Sequence, residues 1–211
     1  MYEKVIKRMF DLLFSLIGIV MLLPIWIIVP ILIKSEDGGP IFYSAPRIGK
    51  DGKKIAMYKF RSMKPGSEDI RNPDGSTFNS DDDPRLTRVG KVIRKTSIDE
   101  LPQLFNVIKG EMSIVGPRAS SFDMLGTYKP DEIDKMKVRP GITGLSQAYY
   151  RNSISLRKKR LLDASYANHV SLLLDLKILL RTVKTVIMQE SLYTNAERYE
   201  QNKEVFTDDC K

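Results

Sequence analysis

The chain has 211 residues, 42% of them hydrophobic and 28% charged, and 34 lysines and arginines against 26 acids give a formal charge of +8. Its one cysteine, Cys210, rules out an intramolecular disulfide, and its one histidine, His169, rules out zinc sites built from histidine and cysteine. Acid–base and metal chemistry must then rest on carboxylates, and the positive excess suits an anionic partner: nucleic acid, anionic lipid or a phosphorylated substrate.

No side chain from Leu12 to Ile33 is charged. A straight helix of that length reaches across a hydrocarbon core of about 30 Å. Lys34-Ser35-Glu36-Asp37 follows it in place of a small-residue cleavage site, so it does not read as a secretory signal. Pro24 predicts a kink near Leu22–Leu23, because proline lacks a backbone donor and obstructs the carbonyl one turn earlier. Basic residues lie on both flanks, with Lys4, Lys7 and Arg8 upstream. That symmetry favours a re-entrant hairpin with both ends on one membrane face over a straight span.

Gly38-Gly39-Pro40 ends the helix. Arg47 to Met63 reads as two short strands around an Asp51-Gly52 turn, with Ile55 to Phe60 in the second. Pro65 to Pro84 reads as a long polar loop, and its Asp81-Asp82-Asp83 run as solvated acids before a metal site. Leu86 to Lys95 predicts a helix, and a second runs from Ser97 to Gly110. Met112 to Val115 leads into a Gly116-Pro117-Arg118 turn, a helical stretch follows near Asp131–Met136, and Arg139-Pro140-Gly141 reads as a tight turn. The last large element is helical from Leu156 to Met188. Within it, Leu172, Leu173, Leu176, Leu179, Leu180, Val183 and Ile187 share a face beside a basic stripe of Lys177, Arg181 and Lys184. Such a helix either packs on a core or lies among anionic headgroups. His169 and the Lys158-Lys159-Arg160 cluster read as structural and solvated. The fold class is α+β, predominantly helical.

Ser97-Ile98-Asp99-Glu100 carries a capping-box pattern and by itself is a helix start. Its surroundings add a second reading, because Arg94, Lys95, Lys109 and Arg118 are close in sequence. An Asp99 in a first helical turn near guanidinium groups is expected to keep a low pKa and act as a nucleophile. Magnesium is commonly held by one or two carboxylates plus substrate phosphates, which this pair supplies.

Tyr58-Lys59-Phe60-Arg61-Ser62-Met63, Asp83-Pro84-Arg85, Gly90 to Arg94, Ser97 to Val107, Lys109 to Arg118 and Val138 to Gly144 occur in that order. Together they resemble the bacterial sugar transferase family, the small monotopic phosphoglycosyl transferases, over nearly the whole chain. The resemblance implies transfer of a sugar 1-phosphate from a UDP-sugar to undecaprenyl phosphate with release of UMP. The implied route is a covalent aspartyl phosphosugar with magnesium (Mg2+) as cofactor, at the first membrane step of glycoconjugate assembly.

Under that resemblance Asp99 is nucleophile and metal ligand and Glu100 is its partner. Arg94 and Arg118 match phosphate-binding arginines, and Lys59 matches a basic residue near the site. Gly141 and Gly144 match a turn that shapes it. Gln147, Arg151 and Asn152 persist in a loop expected to bear on the sugar. Residues 1–37 would be a re-entrant anchor, 38–190 a cytoplasmic catalytic domain carrying an amphipathic interfacial helix, and 191–211 a polar tail. The chain would lie on the cytoplasmic face of the bacterial inner membrane, with membrane lipid and no nucleic acid as partner. Two departures stand out: Leu23 precedes Pro24 where many relatives have Ser, and Leu145 to Asn152 carries two tyrosines of its own. A membrane-tethered nucleic-acid binder and a non-catalytic scaffold are the alternatives. The first has no recognised binding motif, and the second leaves an intact Asp99, Glu100, Arg94 and Arg118 unexplained.

Overall fold

The computed structural model describes residues 2–72, 77–80 and 82–188, so Asp81 and the tail 191–211 lie outside the described residues. α1 (Lys7–Met21) and α2 (Leu23–Asp37) meet at Leu22, whose φ of −96° and ψ of 17° leave the helical range. The two helices diverge by 64° there, one residue before the first turn that Pro24 occupies, where the sequence predicts the kink. Among the described residues no single helix is long and apolar enough to cross a membrane, and the bent pair passes that test only jointly.

Gly38, at a left-handed φ of 70°, closes α2 by donating to the Lys34 carbonyl. β1 (Phe42–Ile48) and β2 (Lys54–Phe60) pair antiparallel from Phe42↔Phe60 to Ile48↔Lys54. A 3₁₀ turn with Asp51 at φ 56° joins them, as the Asp-Gly pair predicts. α3 (Arg88–Lys95) starts at Thr87, whose Oγ1 accepts from Gly90 N at 2.8 Å.

β1 starts at Phe42, before the Arg47 at which the sequence opens the first strand, and three further predicted elements differ in the structure. The helix expected from Ser97 is a 3₁₀ turn, Ile98–Glu100, followed by α4 (Gln103–Lys109). Ser97 takes φ 60° and makes no side-chain cap bond, so the capping box does not form. Pro102, which has no N–H to continue an α-helical ladder, sits as the N-cap of α4. The expected tight turn at Arg139–Gly141 is instead chain entering β4 (Gly141–Thr143), which pairs parallel with β3 (Ser113–Val115). After α5 (Leu145–Tyr149), the last helical stretch divides into α6 (Leu156–Asn168) and α7 (Leu172–Ile187). Ser171 makes the break by accepting from Leu174 N at 3.3 Å.

Among the described residues the interior has three apolar clusters. Val29 and Ile33 of α2 pack with Phe60 of β2 and Ile93 of α3. Met57 and Ile55 of β2 meet Val107 of α4 and Met112. Val115, Tyr166 and Ile178 join β3 to α6 and α7.

α1 and α7 are inside out. α1 buries Lys7, Asp11 and Ser15 and exposes Met9, Leu13, Phe14, Ile17 and Val20. α7 buries Asp175 and Thr185 beside Ile178 and exposes Leu173, Leu176, Leu180, Val183 and Ile187. The buried acids of the two helices have partners. Asp175 accepts from Lys7 at 2.5 Å and from Tyr2 and Tyr166 at 2.6 Å, while Asp11 accepts from Ile114 N at 2.9 Å. The apolar stripe expected on the last helix is present and faces outward.

Candidate active site

The left-handed Ser97 reverses the chain straight after α3, and this brings the last turn of that helix beside the acids that follow. Asp99 is buried in the 3₁₀ turn, with its side chain 9% exposed. Lys59, next to the end of β2, places its ammonium 2.6 Å from Glu100 Oε1 and 3.8 Å from Asp99 Oδ2. Asn106 of α4 fixes that strand: it donates to Ala56 O at 2.7 Å and accepts from Tyr58 N at 3.0 Å. Arg151, at φ 42° after α5, reaches Ser97 Oγ at 3.3 Å.

The two acids are tuned in opposite directions. Burial pushes the Asp99 carboxyl above its usual range, and Glu100 adds to that. Lys59, Arg94 and Arg118 pull it back without prevailing. Burial acts on Glu100 as well, but Lys59, Arg118 and Arg151 outweigh it and hold that carboxyl below its usual range. The low pKa expected for Asp99 is therefore found at Glu100. A 3₁₀ turn supplies Asp99 with no helix dipole, and Lys59 stands closer to its neighbour.

Lys59, Arg94, Asp99, Glu100, Arg118 and Arg151 thus share one electrostatic environment. Other predicted site residues make contacts within the chain around it. A Cβ on Gly141 would lie 2.1 Å from Gly116 N, and one on Gly144 2.0 Å from Gly116 O, so both are places of backbone contact. Gln147 Nε2 donates to the Ile142 carbonyl at 3.0 Å, and Asn152 accepts from Lys159 at 3.4 Å. Asn106 is a residue that sequence reasoning misses, and Ser97 reads from the sequence only as a helix cap. Asn106 leaves one signal, a lone amide among Leu104, Phe105, Val107 and Ile108.

Among the described residues no three metal-ligating side chains cluster. The donor set still suits a divalent cation shared with substrate phosphates. Asp99 is a buried carboxylate with its nearest ammonium beyond hydrogen-bond distance, while Lys59 is committed to Glu100.

The family model for bacterial sugar transferase matches residues 2–189. The chain is 40% identical over 198 residues to the exopolysaccharide production protein ExoY of Sinorhizobium fredii, covering 89% of this chain and 88% of that protein. It is 37% identical over 202 residues to an undecaprenyl-phosphate galactose phosphotransferase of Salmonella typhimurium, covering 90% of this chain and 42% of that protein. A UDP-N-acetylgalactosamine-undecaprenyl-phosphate N-acetylgalactosaminephosphotransferase of Aeromonas hydrophila is 40% identical over 188 residues, covering 86% of this chain and 44% of that protein.

Proposed function

Because the chain belongs to the bacterial sugar transferase family, we propose that it moves a sugar 1-phosphate from a UDP-sugar to undecaprenyl phosphate, releasing UMP. The observation that carries this reading is the buried Asp99 beside a Glu100 held by Lys59, with Arg94, Arg118 and Arg151 around them. Two relatives bear names of such sugar phosphotransferases, one for galactose and one for N-acetylgalactosamine, and this supports the reaction class while leaving the sugar open.

In the first step an Asp99 oxygen attacks the β-phosphorus of the donor. The bond from that phosphorus to the bridging oxygen breaks, and UMP leaves with the electron pair. In the second step a phosphate oxygen of the lipid attacks the same phosphorus, and the Asp99 carboxylate departs. Four positive side chains against two carboxylates leave net positive charge for the phosphates. Lys59 holds Glu100 ionised and in place, so Asp99 is the acid free to attack. A magnesium ion bound by Asp99 and the substrate phosphates would further neutralise phosphate charge. The outward apolar faces of α1 and α7 and the 64° bend support a re-entrant anchor in the cytoplasmic leaflet of the bacterial inner membrane.

The test is UMP release by the purified protein with magnesium, undecaprenyl phosphate and a panel of UDP-sugars. With donor but no acceptor, intact mass should rise by one sugar phosphate. Asp99→Asn should remove the adduct and lower turnover by at least about a thousandfold. Normal turnover in Asp99→Asn would overturn the mechanism.

A further inference from the structure

Arg47 is a half-buried cation whose Nε is enclosed and bonded to nothing among the described residues. It lies on β1, where its backbone is bridged to Ser121, close after Arg118 in the chain. The acid on that side, Asp123, is paired with Arg71 at 3.0 Å. Burial disfavours the Arg47 charge, Arg118 and Arg71 repel it, and Tyr43 and Asp123 offset this only in part. An enclosed donor among like charges is costly unless an anion completes it.

Arg118 connects this place to the acids, since it acts on Asp99 and Glu100 as well as on Arg47. The cations therefore fall into two adjoining sets, with Arg118 common to both. Lys59, Arg94 and Arg151 act on the carboxylates, and Arg71 acts on Arg47. Arg47 and Lys59 share one face of the β1–β2 hairpin, because Arg47 pairs with Ile55, four residues before Lys59 on the same strand. A diphosphate presents two adjoining phosphates. We propose that Arg47 binds the phosphate of the departing nucleoside monophosphate, with Arg118 shared between that phosphate and the one under attack. This assignment rests on the reaction proposed above. When the bond to the bridging oxygen breaks, the electron pair goes to that oxygen and the departing phosphate gains one negative charge. A guanidinium already fixed there stabilises charge that develops only in the transition state, with a fork suited to two phosphate oxygens.

Full-length wild type, Arg47→Gln and Arg47→Lys should be compared, in detergent, for affinity to UMP and to uridine without lipid acceptor. Wild type should prefer UMP. Arg47→Gln should lose about tenfold to a hundredfold in UMP affinity and keep its uridine affinity. Arg47→Lys should retain most of the preference, because it keeps the charge. An Arg47→Gln protein that still prefers UMP as wild type does overturns the assignment. Equal losses for UMP and uridine overturn it too, by showing a structural role. A wild type that neither binds UMP nor releases it from any UDP-sugar removes the proposed reaction itself, and the role of Arg47 with it.

Discussion

Asp83 and Arg85, two residues apart, anchor the long polar loop. The fully buried Asp83 carboxylate accepts from Arg85 Nε at 2.9 Å and Nη2 at 2.7 Å, while Arg85 Nη1 donates to the Glu68 carbonyl at 2.9 Å. The bonds from Arg85 hold the Asp83 carboxyl below its usual range. A depressed carboxyl stabilises the fold above its unfolded pKa of about 4 and loses that contribution as pH falls through the lower folded value. Asp83→Asn at neutral pH leaves Arg85 buried without its charge partner, at a cost of about 3–5 kcal/mol. Thermal unfolding of both proteins should show this gap holding down to about pH 4 and narrowing below it. A gap that stays constant in acid would show that the ion pair does not set the loop's stability. At this scale the sequence displayed the chemistry but not the geometry. Asp99 and Glu100 are adjacent and plain to see, whereas the left-handed Ser97 that redirects them carries no local mark. The nearness of Lys59 to both acids arises only because β2 runs beside the 3₁₀ turn.

Glu36, near the end of α2, caps another helix. Its Oε1 accepts from Arg88 N at 2.6 Å and its Oε2 from Val89 N at 3.1 Å, so the bent pair grips the start of α3. The last turn of α3 carries Arg94. Glu36→Ala should cost about 0.5–2 kcal/mol in thermal stability and slow UMP release, while binding to lipid vesicles stays as it was. Unchanged stability and turnover would show that the cap is idle. The β1–β2 hairpin was legible because Asp51-Gly52 is a local turn between short runs of strand formers. β3 and β4 were not, because strands of three residues brought together across the intervening chain leave no local pattern. The repeat on α7 revealed an apolar face, but periodicity states only that a face exists and not what it meets.

Taken whole, the molecule exposes apolar sides on both α1 and α7, and Lys177 and Lys184 are exposed among the leucines of α7. We expect the protein to float with vesicles containing anionic lipid, less so as salt rises. Each leucine withdrawn from an apolar phase loses about 1.5–3 kcal/mol. Leu173→Glu with Leu180→Glu should therefore lower vesicle partition by at least about tenfold, while turnover on a short, water-soluble acceptor persists. Equal partition of the double variant and wild type would remove α7 from the membrane contact. The inversion of these helices also turns round the usual map of mutational tolerance. Lys7, Asp11 and Asp175, which composition alone would assign to a freely varying exterior, are enclosed and committed to partners. Under the proposed function, the leucines that a protein engineer would replace to gain solubility are the ones that would keep the protein where its acceptor is. A more soluble variant made that way could be well folded and chemically intact, yet stranded from its substrate.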